Sequence, residues 1–499
     1  MHCVLLLLQL PLASIFVWNG LKRASSYDRI KPHSHQGNSH RSITVPTLDH
    51  RHSLPMLTPT MPFSLLKHCF AKLLTPLLDN RSGFLAAFVL ICVSAWLFQR
   101  RTTRQKKPTP HRFSNSATCL KILQNLPYDD RPGTNKLSHE VSRAIPNQRL
   151  VRAFQIDNGF TTRDAAYGRQ FRRQAVQAIR QVTSTNRGGW NQIATVAREI
   201  AATYFRESTS DDRGDLDLIV QVVTMKAVLS MFFEVDATTY TDAAAFEIAR
   251  RINLLSMQSK STTGHQSADF SSLKSLLQRV GLDWTDSKDN PLNILLPAYE
   301  TLWRVVARCL IEVVFRPSAN TQWRSLLQTF IANPTPGTFS QIAPGGDTNV
   351  SVEFLVHEAL RLYPPTRRIY RHVHFQDKQM PELLTADIEA AHRQLHVWGV
   401  DSHRYRPARW IVADQKMRDA FMPFGGGEWI CPASSGFGPM MIGVLVATFA
   451  EILSAEDWEL RLLRGEEGSE DEGSWILDDE MVLESDRRED TAWDLVRRS

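Results

Sequence analysis

Pro423-Phe424-Gly425-Gly426-Gly427-Glu428-Trp429-Ile430-Cys431 is a glycine-rich loop that closes on a single cysteine. Glycines let a backbone pass close to a flat ligand and adopt positive φ where a β-carbon would clash. A cysteine that ligates a metal must be deprotonated and shielded from water so that it stays a thiolate. The apolar run from Phe437 to Phe449 predicts a helix just after the loop. Its N-terminus and free backbone N–H groups can stabilise negative charge on sulfur. On the loop alone, a buried structural cysteine in a glycine turn reads equally well.

Three further stretches change that balance. In Phe354 to Pro365, Glu358 and Arg361 lie three apart and share a helix face. The plainer reading is a solvated pair. Against it, Leu355, Val356, Leu360 and Leu362 are apolar, and Pro364 with Pro365 ends the helix. A buried carboxylate here needs bidentate partners. A second guanidinium, Arg409, is available from the segment Tyr405 to Trp410, which reads as extended. Upstream, Leu295 to Val314 predicts one long buried helix carrying Glu300 and Thr301 side by side; taken alone, such a pair is equally a surface acid and a hydroxyl bonded back to its helix.

In type, order and separation these four elements resemble the cytochrome P450 family, the haem-thiolate monooxygenases, over roughly residues 290 to 450. The strings PAYETLW, PPTRRIYR and GGGEWICPA are similar to those of filamentous-fungal members. The resemblance implies a mainly α fold with small β-sheets, and haem b held between the helix carrying Thr301 and the helix after Cys431. It implies that Cys431 is the axial ligand of the haem iron. Glu358, Arg361 and Arg409 would form a structural triad, and Glu300 and Thr301 the pair that relays protons during oxygen activation. Phe424, Gly427 and Trp429 are the loop's candidate cofactor contacts.

The family pattern places an arginine or histidine two residues before the cysteine, to pair with a haem propionate; here the residue is Trp429. An indole donates one hydrogen bond and neutralises nothing, so the resemblance moves propionate pairing to Arg368 or Arg371. Ala433 stands where the family has glycine, and Pro297 with Ala298 where it has a small, often glycine-containing pair. Proline inside a helix removes a hydrogen bond and kinks it, which would open the oxygen pocket by another route.

The chain has 499 residues and a formal net charge of +6. Residues 83 to 98 are uncharged and apolar, with Arg100, Arg101, Arg104, Lys106 and Lys107 directly after them, which reads as a membrane anchor with a cytoplasmic basic flank. The run is short, about 24 Å against a hydrocarbon core of ~27 to 30 Å, so Leu77 and Leu78 are included. The domain reading is therefore an apolar start and polar linker over 1–76, an anchor over 77–99, a basic hinge over 100–112, and a catalytic domain over 113–499. The His-, Ser- and Pro-rich linker reads as disordered, and translation from Met56 or Met61 would bring the anchor to the N-terminus. Six cysteines without paired spacing give no disulfide or metal-finger framework.

From Gly465 onward thirteen acidic residues face four basic ones, a net of −9 that leaves +15 on the rest of the chain. This tail reads as solvated, although Trp475 and Trp493 can pack as terminal strands. No aromatic-interleaved basic patch points to nucleic acid. The predicted helices over 164–206 carry Arg169, Arg172, Arg173 and Arg180, a solvated face or a docking face for an acidic electron donor. The chain has no flavin or nicotinamide fingerprint. The resemblance supplies NADPH-cytochrome P450 reductase and cytochrome b5 as electron donors, an endoplasmic-reticulum membrane with the catalytic domain on the cytoplasmic side, and a lipophilic substrate in fungal secondary metabolism. Two alternatives stay open: isomerisation, dehydration or coupling on the same fold, and a degenerate chain serving as a scaffold.

Overall fold

A helix that is apolar around its whole circumference must be covered on every side. The segment Phe437–Ile452, uncharged until Glu451, is the one around which the other helices assemble. The computed structural model describes residues 111–127, 137–208, 213–260, 267–316, 319, 321–342, 349–374, 381–454, 456–464, 475–479, 481, 483 and 491–498. They belong to a unit spanning Arg104–Ser499. Its helices of eight or more residues are α1 Ser116–Leu123, α2 His139–Phe154, α3 Ala165–Val182, α4 Gly189–Ser208, α5 Leu216–Phe233, α6 Asp242–Gln258, α7 Ser267–Arg279, α8 Leu292–Tyr299, α9 Leu302–Leu310, α10 Thr321–Ala332, α11 Val352–Leu362 and α12 Phe437–Ile452. The helix α12 packs on α4, α9, α10 and α11.

Two small sheets flank the helices. In the first, β1 (His111–Phe113) runs parallel to β4 (Glu382–Asp387), which pairs antiparallel with β3 (Arg368–Val373), placing Arg368 opposite Asp387 and Arg371 opposite Leu384. In the second, the order is β2 (Arg213–Asp215), β7 (Thr491–Arg497), β5 (Trp458–Arg464), β6 (Trp475–Ile476). Trp493 and Leu495 of β7 are buried, so the end of the acidic tail is a packed strand. The architecture is the mainly α fold with small sheets.

Several local expectations need correction. His111 and Arg112, assigned to a hinge, are already strand residues, because β4 offers them a parallel partner. Pro407–Val412 forms a short 3₁₀ turn and not an extended segment. The predicted helix from Leu295 to Val314 is interrupted at Glu300 and Thr301 and ends in a π turn at Ile311–Phe315. The anchor reading over 77–99, the linker over 1–76 and the hinge up to 110 lie outside the described residues. Among the described residues one helix, α5, is long and apolar enough to cross a membrane, and it is mostly buried in the protein's interior.

Candidate functional site

The interior face of α11 brings its acid and base together. Glu358 and Arg361 are fully buried, and Arg361 clasps the carboxylate through Nε at 2.9 Å and Nη2 at 2.7 Å. Arg409 arrives from the Pro407–Val412 turn and donates Nε to Glu358 Oε1 at 2.7 Å. Trp410 Nε1 donates to Oε2 at 3.1 Å and the Arg406 amide to Oε1 at 3.0 Å. The leftover arginine donors end on carbonyls: Arg361 on those of His392 and Ser402, Arg409 on those of Trp398 and Asp401. A buried carboxylate satisfied this fully is stable despite its desolvation. His392 carries the lattice onward: its Nδ1 lies 3.0 Å from Arg361 O, and its Nε2 accepts from the Met422 amide at 3.0 Å, next to the glycine-rich loop.

The loop is a chain of tight turns. Gly425 and Gly427 have φ of +80° and +71°, which other residues rarely adopt. The Cys431 amide donates to Phe424 O at 3.0 Å and closes the loop. Phe424 lies against Gly438 in the first turn of α12, where a β-carbon would stand 2.9 Å from the ring. Burial pushes the Cys431 thiol up, while a hydrogen bond from the Ala433 amide and the charge of Arg172 both favour its thiolate. Cys431 lines a cavity of about 120 Å³. Ile294, Pro297 and Ala298 of α8 line it too, with Phe171, Arg172, Ala175 and Ile179 of α3. The helix α3 thus divides its arginines: Arg172 turns to the cavity, whereas Arg169, Arg173 and Arg180 are exposed.

A group of basic side chains gathers around Arg143, which shares the cavity with Cys431. Arg143 of α2 lines the cavity and is 3% exposed, with Nε and Nη2 lacking hydrogen-bond partners among the described residues. Arg371 of β3 is 7% exposed; one Nη1–H donates to its neighbour Tyr370 O, and its Nε has no partner among the described residues. Burial brings Arg143 down to about 10, and burial with the Arg143 charge brings Arg371 down to about 9. His139, held at about 4 by burial and by both guanidinium groups, adds no charge at neutral pH. Arg368 goes elsewhere, pairing with Asp387 at 3.5 Å from a partly exposed position. Sequence reading named Arg368 and Arg371 as candidates and did not name Arg143 or His139. Two buried cations with unmet donors and no carboxylate in contact among the described residues call for an anion. Haem, with two carboxylates on one edge and an iron for the sulfur, fits this donor set.

The acid-alcohol pair sits one turn beyond the cavity wall. Pro297 cannot donate to Asn293 O, which instead accepts from Asn158 Nδ2 at 3.5 Å. Thr301 Oγ1 donates to Pro297 O at 2.8 Å, and the Arg304 side chain donates to Glu300 O at 3.0 Å. Side chains therefore replace backbone donors at the break between α8 and α9. Glu300 is buried and Thr301 half-buried; neither lines the Cys431 cavity, which their neighbours Pro297 and Ala298 do.

A family model for cytochrome P450 matches residues 352–456, the interval from α11 through the Cys431 loop and α12. Cytochrome P450 71A22 of Arabidopsis thaliana is 25% identical over 210 residues, covering 39% of this chain and 41% of that protein. The cytochrome P450 monooxygenase fsdH of Fusarium heterosporum is 25% identical over 160 residues, covering 29% of this chain and 27% of that protein. The matched part is thus less than half the length of each relative. A six-coordinated cytochrome P450 from Thermus thermophilus shares 13% identity at a TM-score of 0.46, over 69% of this chain and 86% of its own. With the triad, the cysteine loop and α12 all inside the matched segment, residues 352–456 carry the signature of the cytochrome P450 family, whose cofactor is haem ligated by a cysteine thiolate.

Proposed function

We propose that the chain is a haem-thiolate monooxygenase that takes O₂ and two electrons, inserts one oxygen atom into a lipophilic organic substrate and releases the other as water. The observation that carries this reading is Cys431 on the wall of a cavity that α8 also lines, with the Ala433 amide and Arg172 favouring its thiolate. When bound, the haem supplies the oxygen chemistry, and thiolate ligation favours O–O cleavage.

The chain's own residues position and protect. Cys431 would hold the haem iron through its sulfur, and the turns at Gly425 and Gly427 with the Phe424 contact keep that sulfur in place. Arg371, and not the Asp387-paired Arg368, belongs to the carboxylate side. The Thr301 hydroxyl, bonded to the Pro297 carbonyl, and buried Glu300 hold and pass protons at the α8 break. Glu358, Arg361 and Arg409 keep the loop's support rigid.

Electrons come from a separate NADPH-cytochrome P450 reductase, with cytochrome b5 as a second donor; exposed Arg169, Arg173 and Arg180 suit an acidic partner. The apolar run 83–98 and its basic flank support anchoring in the endoplasmic-reticulum membrane with the catalytic part cytoplasmic. The likeness of the loop string GGGEWICPA to filamentous-fungal members is what suggests a role in fungal secondary metabolism. The test is the absorption spectrum of the reduced, carbon-monoxide-bound full chain beside Cys431→Ser. A strongly red-shifted Soret band that disappears in the variant is the expected result. A band typical of histidine ligation, unchanged by the substitution, overturns the reading.

A further inference from the structure

Gly168 is buried on α3, and a β-carbon there would stand 2.9 Å from the Trp429 indole. The ring therefore occupies a notch that a larger residue at 168 would close. The same ring carries Arg143, whose guanidinium carbon lies 3.9 Å from the ring centroid. His139 meets the indole edge-on, with centroids 6.3 Å apart and planes at 83°. An arginine held by a ring face keeps its N–H fork available, whereas one held by a carboxylate has spent it. Arg143 is in the first condition, with Nε and Nη2 buried and unpartnered among the described residues. Glu140 and Glu428 act on it at longer range without forming an ion pair.

We propose that Trp429 is the seat of Arg143, and that Arg143, backed by Arg371, is the clamp for the carboxylates of the porphyrin. The position two before Cys431 thus contributes an aromatic platform and no charge, and the cation comes from α2, nearly 290 residues earlier in the chain. Gly168 is the other half of this arrangement, since it makes the room. The proposal rests on the haem reading above, but it concerns the carboxylate edge and not the iron.

Metal-free protoporphyrin IX separates the two, because it carries both carboxylates and cannot bond to sulfur through iron. It is titrated into the haem-free full chain and followed by porphyrin fluorescence. Arg143→Gln and Arg371→Gln are each expected to weaken binding roughly ten-fold or more, the scale of a lost charge-assisted pair at a buried site. Trp429→Leu weakens it about five- to thirty-fold, while Trp429→Phe, which keeps a ring face, stays within about three-fold. The dimethyl ester of the porphyrin, whose carboxylates are blocked, binds the unaltered chain as weakly as the free acid binds Arg143→Gln, a comparison that does not depend on any variant folding. Equal affinity for acid and ester overturns the clamp, and equal effects of Trp429→Leu and Trp429→Phe overturn the seat. A carbon-monoxide band that depends on Cys431 alongside equal acid and ester affinities would sink the clamp and leave thiolate ligation standing; the reverse pattern would support the clamp and sink the ligand assignment alone.

Discussion

Removing the carboxylate of Glu358 would strand two guanidinium groups and an indole N–H in a space closed to water, since Arg361, Arg409 and Trp410 all donate to it. Breaking a buried pair from one side costs about 3–5 kcal/mol. Glu358→Ala should therefore lose stability of that order in urea unfolding at neutral pH, and a loss under about 1 kcal/mol would show that the surrounding carbonyls alone hold the arginines. The burial of Glu358 was visible in the sequence because four apolar neighbours left its face nowhere to go but inward. Arg143 was not. In HEVSRAIPNQRLVRAF it looks like Arg149 and Arg152 on the same helix, and only the contact with Trp429, made by tertiary folding, sets it apart. The same holds for Arg368 against Arg371, three residues apart on one strand and divided by the nearness of Asp387.

At the scale of elements, the apolar length from Leu295 to Val314 was legible and its interruptions were only half so. Pro297 marks the place where a backbone donor is missing, but the replacement donors come from Asn158, Thr301 and Arg304, which local periodicity does not reveal. The far end is a π turn, and Glu312 within it builds a second buried network: it accepts from Arg316 Nε at 3.0 Å and Nη2 at 3.1 Å, and from the Tyr363 hydroxyl. Arg316 also donates Nη2 to Met481 O at 2.6 Å and Nη1 to Asp478 O. This arginine thus ties the acidic C-terminal segment to the end of the long helical stretch. Arg316→Gln should cost about 3–5 kcal/mol by leaving Glu312 unpaired, and should raise amide exchange around Asp478 and Met481 well before the α12 core opens. Unchanged exchange at those two residues would mean that strand pairing in the second sheet, and not Arg316, holds the segment.

For the whole molecule, the buried histidines bear on how the fold responds to acid. His392 is fully buried between the triad and the cysteine loop, and burial with the Arg361 charge holds it at about 3, against 6.5 for an exposed histidine. The unfolded chain therefore takes up a proton below pH 6.5 that the folded chain refuses. Stability from this group is complete above pH 6.5 and is lost progressively as pH falls toward 3, at about 1.4 kcal/mol per pH unit. Carboxylates held low by arginine, such as Glu247 at about 2, add an acid loss of their own, so the histidine's share must be read as a difference. His392→Gln keeps an amide that can donate toward Arg361 O and accept from the Met422 amide, and it does not titrate. Its unfolding free energy should be lower than that of the unaltered chain at pH 7 but should fall less steeply between pH 6.5 and 5, by about 1.4 kcal/mol per pH unit. Parallel pH profiles would show that His392 is protonated in the folded state. The link from triad to loop would then be carried by a charged imidazole, and acid would not be expected to loosen the loop's support first.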